Sequence, residues 1–160
     1  MDKLWAPWRI RYIRLKKDKS CIFCKALKTR KNYVILKSRY SFVMLNIFPY
    51  NNGHLLISPI RHISRLEQLN DSEITDLFKT MTTAKKLLDK ILKPHGYNIG
   101  INISEAAGAG ETRHLHIHIV PRWKGDTNFI STINNTKVIS QSLDELYKKL
   151  KSLLSKRKNK

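Results

Sequence analysis

The chain has 160 residues, 41% of them apolar, and a formal net charge of +19. That length suits one compact domain around one core, and no run approaches the ~20 apolar residues of a membrane-spanning helix, so a membrane partner is not expected. Two cysteines cannot form the disulfide scaffold of a small secreted protein.

The charge is unevenly spread. Residues 1–39 carry +11 and residues 148–160 carry +7, which leaves +1 for residues 40–147. The excess therefore sits at the two ends, as a solvated basic surface and a tail, where weak contact with nucleic acid is the only such partnership it supports. Met1–Trp8 has no apolar signal core, so the expected location is cytoplasmic. The expected organisation is a single domain over 1–150, with Cys21-Ile22-Phe23-Cys24 inside an N-terminal segment 1–32, followed by a basic tail over 151–160.

In chain order, Tyr33–Lys37 and Ser41–Ile47 read as two strands joined at Ser38-Arg39, and His54–Ser58 as a third after the turn Asn51-Asn52-Gly53. Ser64-Arg65-Leu66-Glu67 has capping-box spacing and opens a short helix. A long helix follows, capped by Asp71 or Ser72. Its apolar face is Ile74, Leu77, Phe78, Met81, Leu88, Ile91 and Leu92, and Pro94 and Gly96 end it. Tyr97–Ile103 and Leu115–Val120 are two further strands. Ser142-Leu143-Asp144-Glu145 opens a terminal helix carrying Leu146, Tyr147, Leu150, Leu153 and Leu154. Sequential strands with helices laid against them predict an α+β domain.

The densest chemistry lies in His114-Leu115-His116-Ile117-His118-Ile119-Val120. On a strand, Leu115, Ile117 and Ile119 share one face and the three histidines the other, with neighbouring histidines about 6.6 Å apart. That spacing suits a central histidine with two neighbours in different roles. A neutral imidazole can attack phosphorus while a second bonds an oxygen or moves a proton. Upstream, Asn102 leads into Ala106-Ala107-Gly108-Ala109-Gly110, where small residues let backbone amides approach an anion. Two other readings stay open on spacing alone: the three histidines could bind a metal, or line an exposed sheet face.

The run at 114–120 matches the signature His-φ-His-φ-His-φ-φ, with φ apolar, and the chain is identified as resembling the histidine-triad (HIT) family. Trp5-Ala6-Pro7-Trp8-Arg9, Cys21-Ile22-Phe23-Cys24, Ala107-Gly108-Ala109-Gly110, Pro121-Arg122-Trp123 and Gly125-Asp126-Thr127-Asn128-Phe129 extend the likeness toward the bacterial branch that includes diadenosine tetraphosphate phosphorylase-like proteins. The resemblance implies a HIT-like fold: an antiparallel sheet of about five strands with one long and one C-terminal helix, paired as a homodimer.

It also implies an enzyme that cleaves nucleoside 5′-phosphate linkages through a nucleotidyl-histidine intermediate. The substrate would be adenine-containing, such as a dinucleoside polyphosphate. His116 would be the nucleophile, His118 a phosphate contact, and His54 an orienting or protonating partner. Asn46 and Ile47 fall where the family holds ribose and base. Asn102, Gly108, Gly110 and Thr112 fall on the phosphate side, and Trp123 lies beside the nucleotide or in the core. Glu111 stands where many members have Ser or Thr, so it either turns away from a polyphosphate or marks a different leaving group.

Cys21 and Cys24 have the spacing of half a zinc site. Zinc-bearing relatives complete the set at positions matching His62 and His114, which implies a structural zinc. A reduced, buried cysteine pair is the alternative; a redox role lacks the surrounding strand–motif–helix order. Two other functions remain open: a nucleoside phosphoramidate or nucleotidyl-lysine hydrolase, and a nucleotide- or nucleic-acid-binding module with little catalysis.

Overall fold

The structure is a computed structural model that describes residues 20–29, 32–127 and 139–158. The Trp5–Arg9 motif, and Asn128 and Phe129, lie outside the described residues.

Five strands form one antiparallel sheet: β1 (Val34–Lys37), β2 (Ser41–Leu45), β3 (Leu55–Pro59), β4 (Gly96–Gly100) and β5 (Ile117–Arg122), in the order β1-β2-β3-β5-β4. Among the described residues three helices lie with it: α1 (Ile22–Lys28), α2 (Asp71–Leu92) and α3 (Leu143–Lys158). The architecture is the expected α+β arrangement. Among the described residues no helix is long and apolar enough to cross a membrane.

Strand alternation divides the core between two faces. Val43, Leu45, Leu55, Ile57, Ile117 and Ile119 pack against Leu77, Ala84, Leu87 and Leu88 of α2 and Leu146 and Leu150 of α3. On the other face Phe42, Met44 and Leu56 meet Cys21, Phe23 and Ala26. The short helix α1 thus covers the face on which His116 and His118 stand, behind the site.

Several boundaries differ from the sequence reading for local reasons. The cap of α2 is Asn70, not Asp71 or Ser72; its side chain accepts from the Glu73 amide while Glu73 bonds back to the Asn70 amide. Ile74 and Phe78 are 41% and 56% exposed. At 100° per residue, Phe78 lies about 100° from the middle of the buried stripe around Leu77, Ala84 and Leu88. The short helix is a single 3-10 turn, Leu66–Gln68, whose Gln68 side chain, not Glu67, accepts from the Ser64 and Arg65 amides. β2 ends at Leu45, and β4 spans Gly96–Gly100 rather than 97–103. β5 begins at Ile117, because the Leu115 amide leaves the ladder to bond Ile63 O. Ser142 caps α3 through the Glu145 amide, as its spacing implied, and the helix continues beyond residue 150.

One turn controls the entry to β3. Gly53 has φ +76°, and a Cβ there would meet Leu92 and Pro121. Asn51, beside it, donates to Pro121 O at 2.9 Å and Asp126 Oδ2 at 2.8 Å. The loop before His54 is thereby tied to the far end of β5.

Candidate active site and metal cluster

β3 and β5 are antiparallel neighbours with Leu55 opposite Ile119 and Leu56 opposite His118, which brings His54 to the side of His118. Three imidazoles gather there: ring centroids are 5.1 Å apart for His54–His118 and 4.9 Å for His116–His118. His54 is fully buried and His116 is 6% exposed.

The hydrogen bonds fix where the protons sit. The Tyr50 amide can only donate, and it points at His54 Nδ1 at 3.0 Å; the Asn46 amide nitrogen lies 3.2 Å from the same atom. Nδ1 therefore accepts, and the proton of neutral His54 is on Nε2. That N–H meets His118 Nδ1 at 2.9 Å, so His118 in turn carries its proton on Nε2. His118 Nε2 is buried and has no partner among the described residues: a donor aimed into the site.

His116 is held differently. Its Nδ1 lies 2.8 Å from the His114 carbonyl, an acceptor, so Nδ1 bears the proton and Nε2 keeps its lone pair.

Burial keeps all three neutral. His54 is pushed down to about 3, first by desolvation and then by the charges His118 and His116 would carry. His118 falls to about 4, by desolvation and then His116. His116 is also lowered by burial, against the pull of the His114 carbonyl and Glu111.

Asn46 also caps its own loop, accepting from the Phe48 amide at 2.9 Å, and Ile47 beside it is 41% exposed. Gly108 has φ +87° at the end of the turn Glu105–Ala107, with the Asn102 side-chain nitrogen 3.9 Å from where its Cβ would be. Gly110 has open space where a side chain would be, and Thr112 is exposed. Trp123 is half-buried past the end of β5, its amide donating to Asp126 Oδ2. Among the described residues it has no place in the histidine ring cluster.

Two residues at the site had no assigned place in the sequence reading, and a third, Glu111, had a place but an open direction. Tyr50 stacks on His118 at 5.7 Å and 12°, and packs on His54 at 4.6 Å. Phe23 packs on His114 and His116 at 5.1 and 4.8 Å. Glu111, 8% exposed, gives its carboxylate to the Arg113 guanidinium at 2.8 Å, the Arg113 amide at 3.1 Å and the Ile22 amide. Glu111 is thus committed to tying α1 to the loop before β5. The position of Phe23 between the two cysteines was its only sequence signal.

The cysteines join a four-residue cluster. Ligand atoms of Cys21, Cys24, His62 and His114 all lie within 4.8 Å of one another. Sulfur-to-nitrogen separations are 3.2 Å for Cys21–His114 and Cys24–His62, and 3.7 Å for Cys24–His114. Tetrahedral zinc with bonds of about 2.3 Å to sulfur and 2.0–2.1 Å to nitrogen separates such atoms by about 3.5 Å. His114 Nε2 lies 2.9 Å from Pro59 O, which claims the proton and leaves Nδ1 facing the sulfurs. The donor set could hold a metal ion.

Residues 28–125 match the HIT domain family. A relative named AP-4-A phosphorylase, from Mycobacterium tuberculosis, is 36% identical over 89% of this chain and 79% of its own length. Adenosine 5′-monophosphoramidase HNT1 of Saccharomyces cerevisiae is 35% identical over 66% of this chain and 64% of its own. Among solved structures, a Zn-bound histidine triad family protein from Mycobacterium smegmatis superposes with a TM-score of 0.70 at 24% identity, covering 88% of this chain and 97% of that one.

Proposed function

The chain belongs to the HIT domain family, and on that footing we propose that it is a nucleotidyl hydrolase or transferase acting on dinucleoside polyphosphates such as diadenosine tetraphosphate. The observation that carries this is the opposed tautomers of His116 and His118: a lone pair on one Nε2 and an N–H on the other, side by side.

The chemistry follows from those two atoms. His116 Nε2 attacks the α-phosphorus, forming the N–P bond as the P–O bond to the departing polyphosphate breaks with its electron pair. The imidazole becomes cationic, and the His114 carbonyl bonded to Nδ1–H offsets that charge. His118 Nε2–H donates to oxygen at the reacting phosphate, and His54 holds His118 in that tautomer. Water or inorganic phosphate then attacks phosphorus and releases neutral His116. Asn46 and Ile47 would hold the nucleoside; Asn102, Gly108, Gly110 and Thr112 would contact phosphate oxygens, with Trp123 beside the nucleotide.

We also propose that Cys21, Cys24, His62 and His114 hold zinc. Bound there, it supplies a structural crosslink between α1 and the start of the histidine run, and no step at phosphorus. The reduced cysteine pair this requires fits a cytoplasmic location. Homodimerisation is supported by the family resemblance and by exposed Ile99 on the edge strand β4 and Ile103 just after it. The basic ends would add only weak contact with nucleic acid.

A second reading keeps the same intermediate with an amine leaving group, favoured by the likeness to adenosine 5′-monophosphoramidase HNT1; the departing amine takes its proton from solvent. Chromatography separates the cases. Diadenosine tetraphosphate yields AMP and ATP by hydrolysis, or ADP and ATP by phosphorolysis. An adenosine phosphoramidate yields AMP. Absence of all these products, with binding that weakens steeply in salt, would favour a binding module instead.

A further inference from the structure

We propose that Phe23 is a positioning residue for the nucleophile: its ring is the rear wall that fixes the plane of the His116 imidazole. The inference builds on the reading of His116 as the attacking group.

Phe23 is fully buried, with no exposure, in the cluster formed by Cys21, Ala26, Val34, Phe42, Met44 and Leu56. Its ring lies 4.8 Å from that of His116 at 36°, and 5.1 Å from that of His114 at 47°. His118 packs on His116 as well, at 4.9 Å. The His116 imidazole is therefore flanked by Phe23 and His118, with its Nδ1–H directed at the His114 carbonyl. Rotation about the Cβ–Cγ bond would break that hydrogen bond and move Nε2 off its line. A close-packed aromatic face opposes such rotation because interiors have no spare volume to receive the ring.

Phe23 is itself held from three directions. Cys21 and Cys24 on either side of it face His114 and His62. The Ile22 amide before it is bonded to Glu111. Phe42 packs against it edge-on at 6.3 Å. Segment α1 thus acts on the nucleophile through an apolar contact, separate from the metal-ligating atoms.

The test compares Phe23→Leu with the wild-type protein by steady-state kinetics on diadenosine tetraphosphate, thermal unfolding, and 15N NMR of the His116 imidazole. The expected result is a kcat loss of about tenfold or more, since small misplacements of a reacting group are costly, with KM within about twofold. The His116 nitrogens should change from one protonated-Nδ1 pattern to averaged tautomers. Unchanged kcat with an unchanged nitrogen pattern, whatever the melting temperature does, overturns the proposal. If the leucine variant does not fold, Phe23→Met is read in the same way. If the wild-type protein turns over no nucleotide, the reading of His116 as nucleophile fails, and the nitrogen pattern alone decides the role of Phe23.

Discussion

His54 and His118 share one proton bridge of 2.9 Å whose direction is set from outside the pair, by the amide of Tyr50. A backbone donor cannot reverse, so the bridge runs from His54 Nε2–H to His118 Nδ1, and the far end of the relay, the buried His118 Nε2, is always a donor. That arrangement needs the Asn51–Gly53 turn to hold Tyr50 in place.

His54→Ala should therefore impair turnover without removing any atom from the phosphorus. We expect kcat to fall by about 10²-fold, the low end for a group that supports acid–base work, with a smaller change in KM. His54→Gln, which can still offer an N–H to His118, should recover part of the loss. Stopped assays on both variants check this.

His118→Leu should lower kcat on diadenosine tetraphosphate by about 10²–10³-fold, the cost of losing one donor to charge that develops in the transition state. His118→Asn, which still offers an N–H, should recover part of the loss. Equal losses in the two variants would contradict the donor role.

Stability should fall as pH drops through the range where histidine ionises. In the folded state His54 and His118 bind protons only near pH 3 and 4, against an ordinary value of 6.5. The unfolded chain takes up those protons first. Their contribution is fully present above pH 6.5, is lost progressively below it, and is exhausted below the folded values, a loss on the order of a few kcal/mol. The stabilisation from Glu73, held down to about 2 by Arg61, is fully present above about 4.5 and is lost only below it. Urea unfolding between pH 7.5 and 5 thus isolates the histidines, and His118→Asn should flatten the slope.

Gly53→Ala should destabilise the protein by about 1–3 kcal/mol, because the residue has φ +76° and its Cβ would meet Leu92. Thermal unfolding measures the loss. Activity should fall further than folding alone requires, since this turn carries Tyr50 and His54.

Cys24→Ser should reduce bound zinc from about one equivalent per chain and lower the melting temperature. Elemental analysis and thermal unfolding check both. Full stability with no zinc in the wild-type protein would favour a plain reduced pair.

Period-two alternation was enough to read the histidine face of β5, because Ile117 and Ile119 had to go to the core. Turn residues bounding each apolar run also set the number of strands but not their order, since β5 pairs with β3 and leaves β4 at the edge. What stayed hidden was tertiary. Phe23 meets His116 only after α1 folds across the sheet, and Tyr50 reaches His118 only through the turn at Gly53. Glu111 is the exception: its carboxylate is held by Arg113, two residues on, a local pair that spacing alone does not distinguish from two solvated side chains. The exposed Ile74 and Phe78 show the converse: apolar residues at helical spacing still depend on where the neighbouring sheet lies.

The most direct measurement is quenching of the protein in alkaline detergent during turnover of diadenosine tetraphosphate labelled at the α-phosphorus, followed by mapping of the label at alkaline pH. The label should be found as AMP on His116, and should be absent from a His116→Ala variant that still binds nucleotide. Normal turnover by that variant, or label on another residue, would contradict the account.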